Sequence, residues 1–387
     1  MAGFLSIKTD NNIKLNPQVR DFLNPKYIFI PIKKGYKLKV QDKTYVYKDD
    51  IVMYKPSNES VRTPISGTVL GVKDMNYVDG VYPSLMIEND FKEKSKHKRS
   101  SQKFIEKYTK EEFNDILKEV ALGEIIDRLN IDKDVILING IELDPYFGNK
   151  LYLLEGHGEE ILDVVDLLLN LYKKKKAIVA VKNEDTSVIN ELYDLVGKYP
   201  NIEIKPVNNV YPMGENQILK TNLKVDPIIF SINEIRNLYS ILKRRKPYLE
   251  KYITITGDAV SPKEVVHVKK GTLLSEVFMN SFDFTMPRVD VYLNGYIKGK
   301  IIKTLSVVVD DQVDGVFITK EKDKTRKACI NCGLCTKYCP MNINPKYVLD
   351  KKDNEKYKDK CINCGLCNYI CPSNIDLRKL VKGDEDE

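Results

Sequence analysis

Eight cysteines, all placed after residue 328, constrain this 387-residue chain more than any other feature. They form two copies of one frame: Cys329, Cys332, Cys335 and Cys339 before Pro340, then Cys361, Cys364, Cys367 and Cys371 before Pro372. Each reads C-x2-C-x2-C-x3-C-P. A disulfide scaffold would spread its cysteines through the fold, and a reducing compartment would not keep disulfides. A pair of zinc sites is the alternative, but zinc favours two CxxC pairs set apart by a longer loop. Here a third cysteine follows at once, and the frame recurs with its proline.

This spacing is that of the bacterial ferredoxin run, whose fourth cysteine ligates the other of two clusters. Three thiolates on a tight loop can reach three irons of one cubane, and Gly333 and Gly365 let the backbone wrap close. Two [4Fe–4S] clusters are expected, one on Cys329, Cys332, Cys335 and Cys371, the other on Cys361, Cys364, Cys367 and Cys339. Such a module conducts single electrons, so redox protein partners should stand at its two ends.

The rest of the chain narrows the class further. Hydrophobic residues make up 42% and charged residues 30%, enough apolar material for several cores. The net charge of +7 is spread among both signs. The dense runs Lys92 to Lys110 and Lys173 to Lys176 read as a solvated linker and a helix end, so nucleic acid is not expected as a partner. No apolar run approaches the roughly 20 residues of a membrane span. The first residues lack the features of a signal peptide, which points to the cytoplasm, free or docked peripherally on the inner face of the cell membrane. His97, His157 and His267 have no ligand spacing.

Periodicity divides the chain into a multidomain α/β and α+β protein. Residues 1–90 read as an N-terminal extension and an all-β unit of short strands from Tyr27 onward. Within it, Thr63 to Val69 resembles the hairpin of barrel-sandwich hybrid domains, the biotinyl- and lipoyl-carrier fold. Ser66-Gly67 stands where carriers place a modifiable lysine, so a docking or structural role is expected. Residues 91–112 read as a charged linker. Residues 113–225 alternate helix and strand, with strands at about Asp134, Ala177 and Ile202 and a helix from about Gly158 to Lys174, and predict a Rossmann-like parallel layer with a ligand site at its strand ends. Residues 226–310 read as a small α+β module with a helix over Asn233 to Arg244. Residues 311–387 carry the cysteine frames and a solvated acidic tail.

Four segments together resemble the C subunit of the Rnf electron-transport complex. They are Ile138-Asn-Gly-Ile-Glu-Leu-Asp-Pro-Tyr, Tyr211-Pro-Met-Gly-Glu-Asn-Gln-Ile, Thr254-Ile-Thr-Gly-Asp-Ala-Val and the two cysteine frames. The resemblance implies a barrel-sandwich start, an α/β domain like the flavin-binding subunit of respiratory complex I, a soluble-ligand-binding β-grasp module and a ferredoxin-like end. It also implies a peripheral subunit that exchanges electrons with NADH through FMN and with membrane-embedded subunits, in a complex coupling the ferredoxin–NAD reaction to ion transport. Asn139, Glu142 and Asp144 become the candidate flavin or nucleotide residues; read alone, they fit a turn with surface carboxylates equally well.

The chain departs from that family where a Gly-Gly-x-Gly-Phe-Pro loop should receive the FMN phosphate. It reads Glu119-Val-Ala-Leu-Gly-Glu-Ile-Ile-Asp there, with one glycine and added negative charge. The alternative is therefore a soluble electron carrier that supplies a reductase, of the proline reductase or cobalamin reductase kind, without its own NADH or FMN site. An interaction scaffold with purely structural clusters is the third reading.

Overall fold

The structure, a computed structural model, describes residues 15–16, 18–56, 59–96, 103–120, 122–244, 248–351 and 354–383. Most of the N-terminal extension, residues 97–102 of the expected linker, His97 and most of the acidic tail lie outside the described residues.

Near-continuous apolar runs build the parallel layer, as strands buried on both faces require. Val135–Asn139 and Lys176–Lys182 lie at its centre, Ile202–Val207 and Ile228–Ser231 at its edges, and every pairing is parallel. The strand Ile228–Ser231 and the helix Ile232–Arg244 belong to this layer, since Phe230, Ile235, Leu238 and Ile241 are buried in its core. The layer thus runs past the boundary expected at 225. The Ser231 hydroxyl accepts from the Glu234 amide at 3.2 Å while the Glu234 carboxylate accepts from the Ser231 amide at 2.8 Å, a capping box that starts the helix.

The segment before the layer also differs from a solvated linker. Ile105 and Tyr108 are buried, and Thr109 caps a helix over Lys110–Glu119 through the Thr-x-x-Glu pattern with Glu112. The longest helix begins at Asn149 rather than near 158 and ends at Tyr172, with a break in helical backbone at His157 between Gly156 and Gly158.

A six-stranded mixed sheet follows, in the order Val19–Phe22, Glu264–Lys269, Glu250–Thr256, Gly315–Lys320, Val289–Leu293 and Lys300–Ile302. The helix Leu274–Ser281 covers it, burying Val277 and Phe278 against Ile255, Val266, Val316 and Ile318. The strand Gly315–Lys320 extends this unit past the expected boundary at 310.

The first β unit is a four-stranded sheet of Tyr27–Pro31, Gly80–Asn89, Gly67–Tyr77 and Tyr45–Val46 facing a three-stranded one of Lys37–Leu38, Ile51–Tyr54 and Ser60–Arg62. Ile28, Val46, Val52, Ile65, Val69, Leu85 and Ile87 fill the space between. Ser66 is buried, donating to Asp90 and accepting from the Lys94 amide. A Cβ on Gly67 would sit 1.8 Å from the Glu88 carbonyl oxygen. The Ser66-Gly67 tip is therefore packed, as a structural role requires.

The cysteine-bearing end repeats itself. Short helices Leu334–Lys337 and Leu366–Tyr369 occupy equivalent places. Left-handed backbone recurs at Asn331 and Asn363, Gly333 and Gly365, and Asn342 and Asn374. Among the described residues, no helix is long and apolar enough to cross a membrane.

Candidate iron–sulfur centre and the strand-end turn

The repeat folds so that the fourth cysteine of each frame crosses over. One cavity is lined by Cys339, Cys361, Cys364 and Cys367, walled by Pro340, Met341, Ile343, Leu366 and Val381. The other is lined by Cys329, Cys332, Cys335 and Cys371, walled by Ile330, Leu334, Leu349, Ile375 and Leu377. These are the two crossed sets expected from the spacing. Among the described residues, no three His, Cys, Asp or Glu side chains converge as ligands of one metal ion; the thiols line cavities instead.

The donor chemistry fits two iron–sulfur clusters: four sulfurs per cavity, apolar walls, and backbone N–H groups aimed at sulfur. The Ile343 amide donates to Cys339 Sγ at 3.4 Å. Burial pushes the Cys364 thiol up to about 12 and raises Cys367, Cys335 and Cys339 as well. Left to themselves these thiols stay neutral. A bound cationic centre reverses that, because a coordinating thiol is deprotonated outright.

The second frame is clamped to the rest of the chain. The Tyr211 hydroxyl donates to the Cys364 carbonyl oxygen, and both residues are buried. Gly365, at φ +78°, lies so close to the Ile297 backbone that a Cβ would meet its carbonyl oxygen at 2.2 Å. Arg378 Nη1 donates to the Lys298 carbonyl oxygen at 2.6 Å. Tyr211, Ile297, Cys364 and Leu366 form one small core with Tyr338, Ile362 and Ile370. Sequence reasoning marked Tyr211 only as part of a turn, and nothing in the sequence marks Ile297 or Arg378.

The three strand-end candidates come together beside this clamp, but they face inward. Asn139 is buried; its amide donates to the Gly214 carbonyl oxygen and to Asn216 Oδ1, each at 2.8 Å, and its Oδ1 accepts from the Ile141 amide. The Glu142 carboxylate accepts from the Lys150 amide at 2.5 Å and the Leu151 amide at 3.4 Å. It thereby caps the helix Asn149–Tyr172 at the end where a phosphate would otherwise find free amides. Asp144 accepts from the Tyr146 amide at 3.1 Å and the Ile297 amide at 3.2 Å. Burial raises Glu142, lowers the Lys150 ammonium, and pushes Asp144 up to about 6. All three side chains are thus engaged by protein groups. His157 pairs with Glu160 at the helix break, and His267 stacks on Tyr252 between Asp21 and Glu250.

The structure thus joins a doubled cysteine frame with two thiol-lined cavities to a parallel α/β layer. Comparison with known proteins agrees part by part. Residues 322–372 match the 4Fe-4S dicluster domain, and residues 125–227 match the Nuo51 FMN-binding domain. The C subunit of the ion-translocating oxidoreductase complex of Buchnera aphidicola (subsp. Acyrthosiphon pisum) is 25% identical over 54% of this chain and 48% of its own. That of Buchnera aphidicola (subsp. Baizongia pistaciae) is 24% identical over 74% of this chain and 62% of its own. The C subunit of the Na(+)-translocating ferredoxin:NAD(+) oxidoreductase complex of Acetobacterium woodii is 24% identical over 55% of this chain and 51% of its own. The chain is similar to these C subunits, as its motifs led us to expect, and it spans about half to under two thirds of their length.

Proposed function

We propose that this chain is an electron-transfer subunit of the Rnf type, peripheral to a membrane complex. Its crossed cysteine sets, Cys329, Cys332, Cys335 with Cys371 and Cys361, Cys364, Cys367 with Cys339, hold two [4Fe–4S] clusters. The observation that carries this reading is the lining of two separate cavities by those two sets. Bound clusters supply one-electron transfer. The chain's own part is to fix the thiolates, to exclude water around Cys364 with Leu366 and Ile297, and to hold the module on the α/β layer through Tyr211.

The same reading assigns the opposed β sheets before residue 90 to a barrel-sandwich hybrid that serves as a docking or structural unit. It assigns the mixed sheet and its helix, from Glu250 to Lys320, to a β-grasp module. The layer between them is the counterpart of the complex I flavin-binding domain.

A second reading is favoured by one observation, the engagement of Asn139, Glu142 and Asp144 within the protein. In it the chain carries electrons between proteins, feeding a soluble reductase, without an NADH or FMN site of its own. Anaerobic mixing with NADH separates the two. Stoichiometric FMN and bleaching of the cluster absorption by NADH support the Rnf role. Absence of flavin and bleaching only by dithionite support the carrier.

A further inference from the structure

We propose that the bare face of the first cysteine frame is the docking surface of an acidic redox protein; this rests on reading the module as a two-cluster electron carrier. The argument starts from the internal repeat, in which each position of the first frame has a counterpart 32 residues on. The second frame uses one face to dock onto its own chain. Ile362 packs against the strand-end core, Leu366 is 1% exposed, and Gly365 lies under the Ile297 carbonyl. Among the described residues, the equivalent face of the first frame has no such cover. Ile330 is 66% exposed, Cys329 and Cys332 are exposed, and a Cβ on Gly333 would meet nothing within 4 Å.

Two like surfaces are thus presented, one occupied from within and one open. The open one places an apolar side chain directly over the ligands of the outer cluster. That short distance is what one-electron exchange with another protein requires.

Charge selects the occupant. Between Lys320 and Gly383 the sequence holds 15 basic and 7 acidic residues. Arg326, Lys327 and Lys337 are exposed on the first frame or its approach, and Lys346 lines its cavity. A basic rim around an apolar centre steers and orients an anionic protein, and it repels a second copy of itself. The second frame, clamped by Tyr211 and Ile297, serves the rest of its own chain, so the two clusters face different customers.

The test is calorimetric titration of the full, cluster-loaded chain with an acidic two-cluster ferredoxin under anaerobic conditions. Binding is expected at low salt and should weaken as salt is added. Lys327→Glu with Lys337→Glu should raise Kd about tenfold or more, and Ile330→Asp should do likewise. Lys176→Glu with Lys205→Glu, on the distant α/β layer, should leave Kd unchanged. Iron content and the electron paramagnetic resonance of the reduced clusters should match wild type in all variants.

Intact clusters with no ferredoxin binding, or with binding indifferent to the first two variants, would overturn the docking surface and leave the electron-transfer reading standing. So would a wild-type dimer that Ile330→Asp dissolves, or binding of the wild type to anionic phosphatidylglycerol vesicles that Ile330→Asp abolishes. A wild-type chain without clusters would overturn the underlying reading, and the inference with it.

Discussion

Gly333 and Gly365 occupy equivalent places, at φ +71° and +78°, and substituting each by alanine separates what the repeat shares from what the clamp adds. Both positions are left-handed, where an L-residue costs roughly 1–2 kcal/mol. At Gly333 that is the main expense, since the added Cβ meets no atom within 4 Å. At Gly365 the Cβ would stand 2.2 Å from the Ile297 carbonyl oxygen and 3.0 Å from its carbon. The Ile297 backbone would have to retreat by about an ångström. It is pinned on one side by Asp144, which accepts from its amide, and on the other by Arg378, which donates to the Lys298 carbonyl. Forcing such a shift in a packed contact costs typically about 1–3 kcal/mol more. Gly365→Ala is therefore expected to be the more damaging by about that margin. Anaerobic thermal melts, followed by cluster absorbance and by circular dichroism, should place its midpoint several degrees below that of Gly333→Ala. Equal losses in the two variants, or a larger loss for Gly333→Ala, would refute the clamp.

Three further outcomes follow from the geometry. Cys339→Ser should abolish the cluster of the second frame and Cys371→Ser that of the first, each variant keeping about four irons and one type of paramagnetic signal. Tyr211→Phe leaves the buried Cys364 carbonyl without its hydroxyl donor and should destabilise the module by about 1–3 kcal/mol, read as faster cluster loss at fixed temperature. Asp144, raised by burial to about 6 in the folded chain against 3.8 in the open one, binds more protons when folded, so its contribution falls as pH rises through that window. Between pH 5 and 7 it should remove about 1.4 kcal/mol of stability, and Asp144→Asn should flatten that slope in urea titrations.

How much of this was legible in the sequence depends on distance along the chain. The cysteine frames are local, so their spacing alone pointed to the two groups of four cysteines that line separate cavities. The central strands of the parallel layer were equally plain, because runs such as Ala177-Ile-Val-Ala-Val have no polar face to expose. The edge strand Ile228–Ser231 was not, since nothing in four residues says which sheet they will join. The long helix was read short because Gly156 and Gly158 look like an end, whereas the structure bends there and continues back to Asn149.

At the strand end, the polar types at Asn139, Glu142 and Asp144 could be seen, but their roles could not. Those are set by partners at Gly214, Asn216, Lys150 and Ile297, which only folding brings near. The loss of the glycine loop before Gly123 was the one sequence hint that this end had changed. The asymmetry between the frames was invisible for the same reason: their sequences are alike, and the Tyr211 hydroxyl and the Ile297 backbone clamp the second, while of the first frame Tyr338 packs against the edge of that core.

The central claim is that two crossed cysteine sets hold two redox-active [4Fe–4S] clusters, and one measurement addresses it most directly. Anaerobically purified protein should be assayed for iron and acid-labile sulfide, then reduced stepwise while its electron paramagnetic resonance is recorded. The account predicts about eight irons and eight sulfides per chain, with reversible reduction and spectra broadened by two neighbouring clusters. Zinc in place of iron, absence of sulfide, or clusters that cannot be reduced and reoxidised would contradict it.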